Sequence, residues 1–288
     1  MAETPANRFP YVHVDVQAAE VEFLSFRLWE LGAQGVEERD QTTIEHGPSE
    51  GVVTLVASFE TVDAAELVIE ALRPEREARL VFVEGEEWRH SWKRFFRPKR
   101  HGSHFLVTPP WESPSTEPGD KVIVVEPGNA FGTGMHETTS LVLAELEGIV
   151  ESGHRVLDVG CGSGILGIGA VLLGASHVVA VDIDPDAVVA TRENAERNQM
   201  LTQFEVSTDP IESVEGAYEV VLANIQAHIL RGMAAPLSAR VAPGGSLVLS
   251  GILVEATDEV IESFSHMQLE AVESLGDWVA IRLRARLV

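Results

Sequence analysis

Asp158-Val159-Gly160-Cys161-Gly162-Ser163-Gly164 is the stretch on which the fold turns. Residues 155–159, which lead into it, are short, apolar and β-branched, the composition of a buried parallel strand. The glycines begin where that strand stops. A chain that turns sharply from strand to helix must visit φ > 0, and a Cβ at the turn would block close approach of the backbone to a ligand. Residues 165–173 then supply the helix. A second apolar run, Val178-Val179-Ala180-Val181, closes on Asp182, and Asp184-Pro185 opens the next helix. Asp182 falls about 20 residues beyond the glycines, at the tip of the neighbouring strand, where a carboxylate can accept hydrogen bonds from both hydroxyls of a ribose.

Gly162-Ser163-Gly164-Ile165-Leu166-Gly167 also satisfies G-x-G-x-x-G, so a nicotinamide or flavin fold is the main rival. The frame separates the two. The first glycine after the strand is Gly160, which gives G-x-G-x-G, and Asp158 stands two residues before it. A carboxylate there suits the ammonium of an amino acid, whereas a dinucleotide would need its pyrophosphate on the helix N-terminus. Asp158, Gly160, Gly162, Gly164 and Asp182 therefore point to S-adenosylmethionine as cofactor.

Composition narrows the class. A chain of 288 residues with 45% hydrophobic content is long enough for two domains and a sizeable core. No stretch approaches the ~20 apolar residues of a membrane span, and Met1-Ala2-Glu3-Thr4-Pro5 lacks a basic, apolar signal, so the expected location is cytoplasmic. Cys161, the only cysteine, cannot form an internal disulfide and reads as a small filler of the glycine loop. A formal net charge of -24 favours basic partners and disfavours direct reading of nucleic acid. One local exception is Arg89, Lys93, Arg94, Arg97, Lys99 and Arg100 among Trp88, Trp92, Phe95 and Phe96. These could track a nucleic-acid backbone, or the aromatics could anchor an inter-domain helix while the cations face acidic neighbours.

The order of elements predicts an α/β protein, a doubly wound sheet preceded by a small ferredoxin-like α+β domain. Residues 1–84 read strand, helix, strand, strand, helix, strand: 11–16, 18–31, 36–39, 52–59, 62–72 and 79–83, with a turn at 47–51. Residues 85–120 read as a connector that includes a strand at 104–107. Residues 121–288 read as the cofactor domain, with strands at 122–125, 155–159, 177–182, 203–206, 218–223, 245–249, 269–275 and 278–286. Gly276-Asp277 signals a hairpin, so the sheet is expected to finish with an antiparallel edge.

A second distinctive string, Asn129-Ala130-Phe131-Gly132-Thr133-Gly134-Met135-His136-Glu137-Thr138-Thr139-Ser140, stands before this domain. With the glycine loop, Asp182-Ile183-Asp184-Pro185-Asp186-Ala187-Val188 and Leu222-Ala223-Asn224-Ile225, the chain resembles the PrmA family, the methyltransferases of ribosomal protein L11. The resemblance covers nearly the whole chain, including the Trp88 to Trp111 region. It implies a Rossmann-like class I methyltransferase domain that methylates lysine side chains and an N-terminal amine of the ribosomal protein, and an N-terminal domain that docks that substrate. It also implies cofactor contacts at Thr139, Gly160, Asp182 and Asn224, with Phe131 and Gly132 closing over the cofactor or beside it. Gln226 departs from the family, where leucine often follows at that place.

Asn224 follows Val220-Val221-Leu222-Ala223 and so emerges at the carboxyl end of a central strand, where ligands of open α/β sheets bind. It is the candidate catalytic acceptor that orients a neutral amine; a polar strand cap is its other reading. No Pro-Pro-Tyr or Pro-Pro-Phe follows it, which argues against glutamine and adenine amino groups as acceptors. His136, Glu137 and His104 show no regular ligand spacing such as H-E-x-x-H, so no metal is expected, and His136 reads as a loop cap. Thr138 and Thr139 are expected just before a helix beginning near Leu141, where capping and cofactor binding compete. Gly128, Gly132 and Gly134 predict a loop free to close over the ligand. With no obvious coiled coil, a monomer is expected. An rRNA methyltransferase using the basic connector, and a non-catalytic adapter, are the alternative functions.

Overall fold

The first strand, β1 (Arg8–Gln17), shows why the N-terminal part folds as it does. Val12, Val14 and Val16 are buried on one face, as period-2 alternation requires. Against them pack α1 (Val21–Glu30) and α2 (Val62–Leu72) through Leu24, Leu28, Ala65, Val68 and Leu72. Thr61 caps α2 by accepting from the Ala64 N–H at 3.2 Å. With β2 (Gly35–Arg39), β3 (Val52–Ser58) and β4 (Ala78–Glu84) the sheet order is β2-β3-β1-β4, every pairing antiparallel. That is the ferredoxin-like arrangement expected from the sequence.

The computed structural model describes residues 8–33, 35–39, 51–73, 76–84, 96–126 and 134–287. Of the expected features, residues 47–50 of the turn, Trp88, Arg89, Trp92, Lys93, Arg94 and Phe95 of the basic-aromatic patch, Gly128 of the closing loop, and Phe131 and Gly132 lie outside these residues. The chain divides into two compact units, Met1–Phe95 and Phe96–Val288. The boundary differs from the expected connector of 85–120, because its later part is built into the second unit. There β5 (Lys99–His101), β6 (Phe105–Thr108) and β7 (Lys121–Val124) form a three-stranded sheet. Phe105, Val107 and Ile123 of this sheet are buried against the core of the second unit, which a free linker would not allow.

The second unit is built on a seven-stranded sheet of order β10-β9-β8-β11-β12-β14-β13. Its strands are β8 (Arg155–Val159), β9 (His177–Val181), β10 (Phe204–Ser207), β11 (Tyr218–Asn224), β12 (Val241–Leu253), β13 (Gln268–Leu275) and β14 (Trp278–Arg284). Val156 and Leu157 are adjacent and both fully buried, so β8 is covered on both faces. One face carries α3 (Glu137–Ile149), α4 (Ile165–Leu173) and α5 (Pro185–Arg197), packed through Leu143, Ile168 and Val188. The other carries α6 (Ala227–Gly232), α7 (Ala234–Ala239) and α8 (Thr257–Ser263), packed through Leu230, Leu237 and Val260. The sheet is doubly wound, as expected.

The sheet finishes in an antiparallel hairpin, as expected, with β13 at the edge and β14 inside it, paired antiparallel with β12 on one side and β13 on the other. Fully buried Ala280 and Ile281 need cover on both faces, which an interior position supplies. One detail differs from the sequence reading: α3 begins at Glu137, with His136 as its N-cap, so Thr138 and Thr139 sit inside the first turn instead of before the helix.

Candidate functional site

Parallel pairing brings the sequence-predicted residues together. Val159 lies opposite Val181 across the β8–β9 pair and opposite Ala223 across the β8–β11 pair, so Gly160, Asp182 and Asn224 leave the sheet side by side. This is the point where the winding of the sheet reverses direction, and a cleft opens at the carboxyl ends of the strands there. A cavity of about 510 Å³ occupies it.

The glycine loop is held from two sides. Gly160 and Cys161 donate to the Val181 carbonyl at 2.8 and 3.2 Å. Asp182 spans the gap: one oxygen accepts from the Gly162 N–H at 2.9 Å and the other from the Asp184 N–H at 3.0 Å. Each carboxylate oxygen keeps lone-pair capacity for a further donor. From below, Thr191 Oγ1 donates to the Gly162 carbonyl at 3.0 Å, and Asn194 Nδ2 donates to the Ser163 carbonyl at 2.9 Å. Gly160 stands at φ +73, and a Cβ there would come 2.5 Å from Ile225 Cγ2. Backbone handedness and space both call for glycine at this position.

Asn224 lines the cavity, and its Oδ1 is buried with no hydrogen-bond partner. An orphaned acceptor at a strand tip is a group placed for a donor brought by a ligand. Ile225, Ile229, Met233 and Trp278 give the cavity apolar lining. His136 accepts from the Thr138 N–H at 3.3 Å through Nδ1, and its ring meets Trp278 edge-on with centroids 4.9 Å apart. Asp184, Asp209 and Ile211 line the cavity as well.

Four of the nine expected cofactor residues, Gly160, Gly162, Asp182 and Asn224, line the cavity. Gly164 does not. It caps α4 at φ +77, where a Cβ would strike Thr191, so its part is to let the helix pack closely. Thr139 is fully buried behind the wall, and Thr138, one residue earlier in the turn, reaches the cavity. Asp158 is also fully buried, with neither carboxyl oxygen hydrogen-bonded. Burial pushes its pKa up to about 7, partly offset by the nearby Gly167 N–H and reinforced by the Asp182 charge. Phe131 and Gly132 lie outside the described residues. Trp278, Thr191 and Asn194 were not singled out from the sequence. The signal available was a pair of polar residues three apart on the inward face of α5.

The described cations of the basic connector are engaged. Arg100 makes paired bonds to Asp120 at 2.7 and 2.9 Å, Arg97 lies 3.5 Å from Glu112, and Lys99 donates to the Met135 carbonyl at 2.8 Å. Among the described residues no group of His, Cys, Asp and Glu is arranged to hold a metal ion, and no helix is long and apolar enough to cross a membrane.

Comparison with known proteins converges on one family. The chain is 43% identical over 266 residues to a ribosomal protein L11 methyltransferase of Sorangium cellulosum, covering 90% of this chain and 84% of that one. It is 40% identical over 293 residues to that of Geobacter metallireducens, covering 95% and 97%. The crystal structure of a ribosomal protein L11 methylase from Lactobacillus delbrueckii subsp. bulgaricus superposes with a TM-score of 0.62 at 27% identity, covering 67% of this chain and 99% of that chain. A family model described as ribosomal protein L11 methyltransferase (PrmA) matches residues 8–286. The glycine loop, the strand-tip carboxylate and the orphaned asparagine thus stand in a chain that belongs to the ribosomal protein L11 methyltransferase (PrmA) family.

Proposed function

We propose that this chain transfers methyl groups from S-adenosylmethionine to lysine side chains, and to the N-terminal amine, of ribosomal protein L11. The observation that carries this is the juxtaposition at the strand tips of the Asp182 carboxylate, the Cβ-free turn at Gly160 and the unpartnered Oδ1 of Asn224. The residues fit the cofactor: Asp182 has acceptor capacity for ribose hydroxyls, and Ile183 and Ile211 offer apolar surface for a purine beside it. Thr139 and Asp158, although behind the wall, remain in the proposed cofactor set with Gly162 and Gly164 because they shape and charge the loop beneath the amino-acid end.

When bound, S-adenosylmethionine supplies a methyl carbon on a sulfonium, open to in-line displacement by a neutral amine. A lysine, with an ordinary pKa of ~10.4, must lose its proton first, and desolvation favours that loss. Ile225, Ile229, Met233 and Trp278 provide the apolar surface that excludes water. Asn224 Oδ1 then accepts one N–H of the neutral amine and aims its lone pair; positioning of this kind can lower a barrier by ~7 to 11 kcal/mol in favourable intramolecular cases.

The N-terminal unit docks the basic ribosomal protein, for which a chain of net charge -24 is complementary. The protein acts in the cytoplasm, as a monomer, without a metal and without direct nucleic-acid binding. The engagement of Arg97, Lys99 and Arg100 within the second unit supports the last point. The test is transfer of radiolabelled methyl groups to ribosomes, separated ribosomal proteins and rRNA. Label on L11 lysines is the expected outcome; label confined to rRNA overturns the proposal.

A further inference from the structure

The segment that enters α3 is tied to β5. Lys99 Nζ holds the Met135 carbonyl at 2.8 Å. His101, on the same face of that strand, is 3% exposed, and its Nδ1 lies 2.8 Å from Ser140 Oγ. Ser140 Oγ lies in turn 3.3 Å from the His136 carbonyl. A carbonyl only accepts, so when the hydroxyl proton of Ser140 goes to His136 O, His101 is the donor through Nδ1–H. Nε2 is buried and unpartnered, so nothing there supports a second proton on the ring. Burial, with the Lys99 charge behind it, pushes the His101 pKa down to about 4, in keeping with a ring that stays neutral.

Two consecutive carbonyls, 135 and 136, are thus fixed to one short strand, the second through a relay. The helical bond from the Ser140 N–H and the side-chain bond from Ser140 Oγ both reach His136 O at 3.3 Å, so neither alone fixes that carbonyl and the two share its placement. His136 and Thr138 both line the cavity, and the His136 ring touches that of Trp278, which also lines it. We propose that His101 is a positioning residue for cofactor binding: acting through Ser140, it sets where the His136 ring and Thr138 stand in the cavity wall. This rests on the reading of the cavity as the S-adenosylmethionine site.

The test is calorimetric titration of S-adenosylmethionine into the full chain and into His101→Phe, Ser140→Ala and the double variant, with melting temperatures recorded alongside. Each single change is expected to weaken binding about five- to tenfold, the scale of one lost hydrogen bond. The double variant is expected to be no weaker than the worse single, because one relay is cut twice. His101→Asn, whose Nδ2–H can take the place of Nδ1–H, is expected to bind within about twofold of the parent. In a His136→Ala background His101→Phe is expected to cost less affinity than in the parent, because only the placement of Thr138 is left to lose, whereas a general loss of packing would cost the same in both. Should His101→Phe fail to fold, Ser140→Ala carries the test, since it removes one oxygen. Parent-like affinity in Ser140→Ala, or additive losses in the double variant, overturns the positioning role. A parent protein that does not bind S-adenosylmethionine overturns the reading of the cavity instead.

Discussion

Asp182 does two jobs with one carboxylate, holding the glycine loop through the Gly162 N–H and presenting acceptor capacity to the cavity. Asp182→Ala should therefore weaken S-adenosylmethionine binding more than tenfold, since unpaired buried polar groups cost about 1 to 3 kcal/mol each; equilibrium titration checks this. Asp158 behaves differently. Its carboxyl titrates near 7 in the folded chain against an ordinary 3.8, so the folded state holds the proton more tightly. Stability is then full below about pH 4, falls as pH rises towards 7, and stays low above it. Asp158→Asn should remove that slope: its melting temperature should match the parent at low pH and exceed it at pH 8, by an amount equivalent to a few kcal/mol. Equal melting temperatures at pH 8 would contradict a buried, unpaired carboxylate. Asp182 was legible in the sequence because strand and glycine spacing place it. The orientation of Asp158 behind the cavity wall was not, because only the faces of the folded sheet decide it.

Elements show the same division. Strand β8, helix α4 and helix α2 could be read to the residue, since apolar period and flanking turn signals agree there. Strand β5 was hidden: Lys99-Arg100-His101 is short and polar, and pairing with β6 alone makes it a strand. The start of α3 was placed too late because Thr138 and Thr139 look like caps, whereas the acceptor nitrogen of His136 does the capping. Helix α5 carries the second omission, since the bonds of Thr191 and Asn194 reach a loop some 30 residues earlier. Asn194 also accepts from the Glu126 N–H at 3.1 Å, so it joins two loops to one helix. Asn194→Ala should cost about 1 to 3 kcal/mol of stability, read by denaturant unfolding, because both the Ser163 carbonyl and the Glu126 N–H lose their partner.

At the scale of the whole molecule, each unit carries its own core, Val14, Leu28 and Leu55 in one and Leu157, Val221 and Leu249 in the other. Removing residues 1–95 should therefore spare S-adenosylmethionine binding and abolish methylation of intact L11; full activity after the deletion would remove the docking role. The net charge of -24 gives a second expectation. kcat/KM towards the basic substrate should fall steeply as salt rises from 0.05 to ~0.5 M, while cofactor affinity changes little, because long-range attraction is screened beyond about a Debye length.

The interior place of β14 has a bearing on synthesis. A ribosome makes β12, then β13, then β14, yet β13 has no place beside β12 until β14 has been laid between them. The N-terminal unit can fold while the rest is still being translated, but completion of the second sheet waits for residue 284. Trp278, which closes the cavity beside His136, arrives on that same strand. A nascent chain thus completes its N-terminal unit well before it completes the cavity, so the last strand to leave the ribosome is the one that finishes the site for a ribosomal-protein substrate.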